Sequence, residues 1–429
     1  MIRRVAQRPP DGNASNFMNI SPHHSARGNG ATDQRPILIV PYMWIGDFVR
    51  CHSVVKLLKA QRPERPVDFL TTANNAPLLD YMPGVRKGIV WDLPRKRLAL
   101  TQHHALAALL RQEDYGQALI MPRTWKATLA PFLAGIPVRT GFFGEARIGV
   151  LNDVRFGERA LPRMIDQCAA LALPKGAKAP AQWPLPELVV PAAELTAWRT
   201  RMDLGDGTPL IALAPGAVGP SKRWPDAYCA EAAAELIRNG ATVVVVGSPN
   251  EAALAAEICA RAPGVRNLTG SDLRHAILAL RSADVAISND SGLLHVAAAL
   301  GTPSVGIFGP TSPWHWAPLN PLAAVVQAEG EIDCRPCHQP VCRPGHHRCM
   351  REIPAARVIA LAQAALANAR KLPAEGVVAR ATAAATSGTE GTAPLPPTTS
   401  IFPGPTGPVS PGSLPVKIAT SGTPRAAAR

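Results

Sequence analysis

The run Ser288-Asn289-Asp290-Ser291-Gly292-Leu293-Leu294-His295 brings small polar residues, a glycine and a histidine into eight positions. It follows a short apolar segment, Asp284-Val285-Ala286-Ile287, and leads into Val296-Ala297-Ala298-Ala299-Leu300, which Gly301 closes. A strand, a polar turn and a helix make an anion site, because the first N–H groups of a helix are unpaired and its dipole is positive there. Asp290 and Ser291 stand at N-cap positions, and capping alone accounts for them. Capping does not account for Gly292, since glycine weakens a first helical turn unless something approaches the backbone closely. Nor does it account for His295. The chemistry these residues suit is the binding of a nucleotide diphosphate.

Other residues have chemical uses beside structural ones. Asp47, directly after Gly46, can act as a general base toward an attacking hydroxyl. Its spacing alone fits better a cap for a helix over 47–60. Pro215-Gly216-Ala217, followed by Ser221-Lys222-Arg223-Trp224-Pro225, places a glycine and two cations after an apolar strand. Lys222 offers a point charge and Arg223 a fork for a diphosphate, and a solvated turn is the structural alternative. Glu251, in Gly247-Ser248-Pro249-Asn250-Glu251, can reach ribose hydroxyls or simply occupy a first helical turn. Arg123, Lys126, Arg139 and Arg147, interleaved with Trp125, Phe142 and Phe143, are candidates to bind an anionic acceptor. Cys334, Cys337, Cys342 and Cys349 lie within 16 residues, with His338, His346 and His347 between them. Such spacing suits a structural zinc, or a packed loop of reduced thiols.

These residues require a scaffold that gathers strand ends. Apolar runs at 36–40, 67–71, 87–90 and 118–121 alternate with helical patterns over 47–60 and 105–112. A second series runs through 209–214, 242–246, 284–287 and 304–308, with helices over 227–239, 250–261 and about 354–371. Such alternation implies right-handed crossovers and parallel sheets, hence an α/β chain of two doubly wound domains. The expected division is 35–185 and 209–370, joined by a linker at 186–208. Residues 1–34 and 371–429 are expected to be disordered, the latter carrying ten prolines in 59 residues. Ligands of open parallel sheets bind outside the carboxyl ends of the strands, so the expected site is the cleft between the domains.

Composition narrows the class of partner. With 429 residues, 47% of them apolar, the chain can bury two cores. The formal charge of +14 suits an anionic partner such as nucleic acid, a membrane surface or a phosphorylated substrate. No apolar run approaches the roughly 20 residues of a membrane-spanning helix, and the N-terminus lacks a secretory pattern. Eight cysteines without such a signal fit a reducing compartment, so a cytoplasmic protein is expected.

Four longer stretches carry a family resemblance. They are Ala134-Gly135-Ile136-Pro137-Val138-Arg139-Thr140-Gly141 with Gly144-Glu145, Leu151-Asn152-Asp153-Val154-Arg155, Lys222-Arg223-Trp224-Pro225, and Asn289 to Leu300. With these, residues 36–368 resemble the ADP-heptose:lipopolysaccharide heptosyltransferases of glycosyltransferase family 9, nearest those that extend a heptosyl-Kdo2-lipid A acceptor. The resemblance implies a GT-B fold, two facing Rossmann-like domains with acceptor on the first and nucleotide sugar on the second. It implies inversion at the anomeric carbon, with Asp47 as base and Lys222 on the donor diphosphate. Asp290, Gly292, Leu293 and His295 match the family turn that contacts the ADP-sugar. Ala217 and Val218 depart from it, standing where some members carry hydroxyl residues. No metal is implied for catalysis, since the cysteine loop resembles one found in only some relatives.

The expected partners are therefore ADP-heptose and a lipid A-core acceptor met at the cytoplasmic face of the inner membrane. Nucleic acid is not expected. Alternatives are another GT-B heptosyltransferase, acting first on the lipid or on protein, and a hydrolysing or epimerising sugar-nucleotide enzyme. A basic zinc-knot protein that binds nucleic acid is a further one, and it leaves the Asp290–His295 turn without a role.

Overall fold

The computed structural model describes residues 33–94, 98–161, 163–205 and 207–369. Short apolar runs bounded by turns become strands buried on both faces, which is what parallel sheets require. In the first half these are β1 (Ile37–Val40), β2 (Val67–Thr71), β3 (Lys87–Val90), β4 (Gln117–Ile120), β5 (Val138–Phe142) and β6 (Asp153–Arg155). Their helices are α1 (Ile45–Arg50), α2 (His52–Gln61), α3 (Ala76–Leu79), α4 (Leu100–Arg111), α5 (Trp125–Leu133) and α6 (Met164–Ala170). The sheet runs β3-β2-β1-β4-β5-β6 with all pairs parallel, Ile37 lying between Val67 and Gln117.

The second half repeats the plan. Its strands are β7 (Leu210–Ala214), β8 (Thr242–Val245), β9 (Arg266–Asn267), β10 (Val285–Asn289), β11 (Ser304–Ile307) and β12 (Ala323–Val326). Its helices are α7 (Ala192–Arg201), α8 (Asp226–Arg238), α9 (Ala252–Arg261), α10 (Leu273–Ser282), α11 (Gly292–Ala299), α12 (Pro313–Trp316), α13 (Arg348–Arg351) and α14 (Ala355–Ala369). The order β12-β11-β10-β7-β8-β9 is again wholly parallel. Both sheets reverse their strand order beside the first strand, at β1/β4 and at β7/β10, and crevices open at such switch points.

Alternate residues of each central strand enter opposite cores. Leu38 and Val40 pack with Ile120, Leu106 and Leu110 on one face. Ile37 and Ile39 pack with Phe69, Val54 and Val55 on the other, where the Phe48 and Phe69 rings lie 5.4 Å apart. That second core continues into residues of the other half, including Ala212, Val296 and Ala297, so the two halves share an apolar contact.

Several elements differ from the sequence expectation, and β5, β6, β9 and β12 lie outside the expected strand runs. The helix expected over 47–60 begins at Ile45 and is interrupted at Cys51, whose N–H bonds back to Asp47 and Phe48 carbonyls at 3.2 and 3.1 Å. The stretch 186–208 contains α7, anchored by Trp198, whose buried indole donates to His275 Nδ1 at 3.1 Å. One large side chain fixes this helix, which is why periodicity does not reveal it. The expectations for residues 1–32 and 371–429 lie outside the described residues. Among the described residues, no helix is long and apolar enough to cross a membrane.

The chain crosses between halves through 187–189. Val189 N donates to Tyr81 O at 2.8 Å and Leu188 N to Ala299 O at 2.8 Å. Glu187 N donates to His52 Nδ1 at 2.9 Å, so the ring proton sits on Nε2, 2.9 Å from Pro83 O. Burial pushes the His52 pKa down to about 4. Because the folded ring takes up a proton less readily than the unfolded one, stability is full above the unfolded value and lost as pH falls from there toward 4. Between pH 7.5 and 5 the expected loss is about 2 kcal/mol. Urea titrations at both pH values check this, and His52→Gln should remove that part of the slope.

Candidate active site

Asp47 lies one loop beyond the carboxyl end of β1, in the first turn of α1. The helix caps itself without it: Trp44 is the N-cap residue and no side chain bonds the free amides. The carboxylate turns instead to Arg50, whose Nη1 donates to Oδ1 at 2.9 Å. Asp47 is nearly buried, and burial raises its pKa. The negative charge of Asp290 adds to that rise, while the Arg50 and Lys222 cations oppose it. A carboxylate held partly out of water and above its ordinary pKa is suited to accept a proton.

The facing residues come from the carboxyl ends of β7 and β10. Buried Asn289 holds the turn together, accepting from Trp224 N at 3.2 Å and donating to Pro215 O at 2.6 Å. This fixes the position of Lys222, whose Nζ donates to Asp290 Oδ2 at 2.7 Å. Thr311 Oγ1 donates to the same oxygen at 2.7 Å. His295 Nε2 lies 4.0 Å from Asp290 Oδ1. Burial, then the Arg50 and Lys222 cations, hold His295 well below its ordinary pKa, so its ring is neutral. Ser291 keeps its hydroxyl 3.2 Å from Ser288 Oγ and leaves the α11 amides uncapped.

The two halves meet where α1 and α11 begin. A Cβ on Gly46 would stand 2.5 Å from His295 Cδ2, and one on Gly292 would stand 2.7 Å from Ile45 Cβ. Close backbone approach is therefore the reason for both glycines, and what approaches each is the opposite domain. Leu293 joins the same apolar contact. Asp47, Lys222, Asp290 and His295 thus sit around one interdomain junction.

Comparison with known proteins identifies the family and the fold. The model of glycosyltransferase family 9 (heptosyltransferase) matches residues 103–347. Lipopolysaccharide heptosyltransferase 2 of Escherichia coli K12 is 38% identical over 304 residues, covering 68% of this chain and 87% of that one. Lipooligosaccharide heptosyltransferase 2 of Haemophilus influenzae is 34% identical over 311 residues, covering 69% and 90%. The solved structure of the E. coli ADP-heptose LPS heptosyltransferase II superposes with a TM-score of 0.69 at 33% identity, covering 78% of this chain and 99% of that one. The chain belongs to glycosyltransferase family 9. Its two parallel sheets are those of the GT-B heptosyltransferase fold.

Other candidate residues in this family 9 chain take varied positions. The space above Gly216 is filled by the Glu251 carboxyl, 2.1 Å from where a Cβ would be. Glu251 also closes a capping box with Ser248, accepting from its N–H at 2.5 Å and its hydroxyl at 2.6 Å. Arg223 is exposed and donates to Ala217 O at 3.1 Å. Arg123, largely exposed and paired with Glu158 at 2.9 Å, and Lys126 in the first turn of α5 lie beyond β4.

Two arginines expected to bind an acceptor are instead structural. Arg147 is buried, donating to Pro122 O at 2.8 Å and Thr128 Oγ1 at 3.1 Å, and also to Phe142 O. Arg139 lies at the amino end of β5, away from Asp47, with Nε donating to Val150 O at 2.7 Å and its guanidinium over Phe132. A sequence shows that a cation is near aromatics, not that its donors are spent on carbonyls.

The cysteine loop reaches the same site. Ser221 N donates to Pro340 O at 3.1 Å and Ser221 Oγ to Gln339 O, so the loop braces the turn that carries Lys222. His338 feels the charges of His315, Lys222 and Asp290, and its pKa is lowered, chiefly by burial. Cys334, Cys337, Cys342 and Cys349 are free thiols, with Cys334 Sγ 3.8 Å from His346 Nε2. Burial and the other three sulfurs push Cys349 up to about 11. Among the described residues, no three His, Cys, Asp or Glu side chains are placed to hold a metal ion. Asn289, Thr311 and Arg50 were not singled out from sequence. Of these only Asn289, inside the conspicuous turn, carried a local signal.

Proposed function

We propose that the protein is an inverting heptosyltransferase that moves L-glycero-D-manno-heptose from ADP-heptose to the heptosyl-Kdo2-lipid A inner core of lipopolysaccharide. The observation that carries this is the meeting of Asp47 with the Lys222–Asp290–His295 group at one interdomain junction, in a chain 38% identical to a lipopolysaccharide heptosyltransferase 2. The Asp47 carboxylate takes the proton of an acceptor hydroxyl as that oxygen bonds to the anomeric carbon from the face opposite ADP. The bond from that carbon to the diphosphate oxygen breaks, and its electron pair leaves with ADP. Lys222 and the uncapped start of α11 meet the charge that grows there, and preorganised groups of this kind often supply the largest catalytic term. With these charges supplied by the chain, added divalent cations are not required.

The acceptor side supports a lipid. Trp125, Phe143 and Phe156 follow the carboxyl ends of β4, β5 and β6, the edge that also leads to Asp47. All are exposed, Phe156 by 72%, as is Ile148 at 77% in the same half, and the Phe143 and Phe156 rings stack at 5.6 Å. Arg123, Lys126 and Arg159 flank this group. Exposed aromatics bordered by cations suit the interface of an anionic membrane, which supports a peripheral location at the cytoplasmic face of the inner membrane.

The test is ADP release from ADP-heptose, with and without heptosyl-Kdo2-lipid A in anionic vesicles. Acceptor-dependent release with a heptose added to the lipid is expected. Release without acceptor would mean hydrolysis, and transfer only to a lipid lacking the first heptose would mean a type I enzyme. Sedimentation with the same vesicles, lost in Phe143→Ser/Phe156→Ser, tests the membrane contact.

A further inference from the structure

Arg50 contacts both Asp47 and the second domain at this junction, and it is 2% exposed. One edge of its guanidinium donates to Asp47 Oδ1 at 2.9 Å through Nη1. The other edge, Nη2, reaches across the domain boundary. It donates to Trp316 O at 3.0 Å and lies 3.1 and 3.3 Å from Nε2 and Nδ1 of His295. The guanidinium carbon sits 5.4 Å from the Trp316 ring centre. Asp47 and Arg50 belong to α1, whereas His295 and Trp316 belong to α11 and α12 of the opposite half.

A guanidinium has a rigid fork and a permanent charge, so it can hold a carboxylate at one edge while donating from the other. The neutral His295 ring has a lone pair to accept from it. When the domains part, Nη2 loses its partners and the fork loses its fixed orientation. When they close, the fork is set from both sides and fixes Asp47. We propose that Arg50 is a positioning residue that couples domain closure to the orientation and ionisation of the base. This rests on the transferase reading above, because it assigns Asp47 that role. It explains why an arginine is buried at a junction that already holds Lys222.

The titratable and charged groups around Asp47 come from several elements: Arg50 and Cys51 at α1, Tyr42 before it, Cys168 on α6, and Asp290, Lys222 and His295 from the second half. Removing Arg50 deletes the largest influence that favours the carboxylate and leaves burial and Asp290 unopposed except by Lys222.

The experiment measures acceptor-dependent ADP release against pH for wild type, Arg50→Met and Arg50→Lys, with thermal melting and ADP affinity as folding controls. For Arg50→Met, the acid limb of kcat should move upward by about one pH unit, with plateau kcat about 10- to 100-fold lower and donor KM within about threefold. Arg50→Lys supplies charge without the second edge. It should keep the acid limb near that of wild type while recovering only part of the plateau. An unmoved acid limb in a folded Arg50→Met protein, or a lysine variant indistinguishable from methionine at every pH, would overturn the proposal. A wild type with no acceptor-dependent release would overturn the transferase reading instead, so the two failures are distinct. If Arg50→Met melts before assay temperature, Arg50→Lys and Arg50→Gln carry the same comparison.

Discussion

Asp47→Asn is expected to lower kcat for heptose transfer by about 10²–10⁴-fold, the usual contribution of a positioned base. That is about 3–5 kcal/mol in the barrier. The amide oxygen of asparagine can still accept from Arg50 Nη1, so the junction keeps its shape and only proton acceptance is lost. Affinity for ADP should stay within about threefold, because the groups assigned to the diphosphate come from the other half of the chain. Wild-type kcat should fall on the acid side at a pH above the ordinary carboxylate range, since burial raises the Asp47 pKa and the base must be unprotonated. The asparagine variant should lack that limb. Steady-state ADP release over pH, paired with calorimetric ADP binding, gives both quantities. Turnover within tenfold of wild type would remove Asp47 as the base.

Lys222→Met should reduce kcat/KM for the donor by about 10²–10³-fold, the range seen when one donor to a developing anion is removed. Its ammonium has three protons, and Asp290 occupies one in this structure. The remaining two are available to a diphosphate, while the Asp290 contact holds the flexible stem in place. Both ground-state binding and rate should suffer, because the charge on the diphosphate exists before the bond breaks and grows as it does. Lys222→Arg should recover little: a planar fork does not reproduce the compact ammonium that meets Asp290 Oδ2 at 2.7 Å. Initial rates over a range of ADP-heptose concentrations separate the two effects. A donor response matching wild type would sever Lys222 from the diphosphate.

The doubly wound architecture was legible because buried parallel strands are continuous apolar runs, as at 210–214 and 242–245, and glycines such as Gly240 end the intervening helices. β5 and β6 were harder to recognise: Val138-Arg139-Thr140-Gly141-Phe142 and Asp153-Val154-Arg155 mix charge with apolar residues. The Asp290–His295 turn stood out because its residues are locally unusual. The structure brings it beside Asp47 across more than two hundred residues of chain, a pairing no local signal encodes. Gly46 and Gly292 announced a close approach without saying by what; the answer, Ile45 and His295, is tertiary. Arg50 escaped notice because an arginine in a last helical turn ordinarily faces water.

The chain passes from one half to the other only once among the described residues, near 187–189. All six strands of the first sheet therefore precede β7 in the chain, and among the described residues no later strand joins that sheet. Until the second half is synthesised, the face that will close against α11 is open to water. There Arg50 is a hydrated cation beside Asp47, which keeps the waiting surface from presenting only apolar groups to other nascent chains.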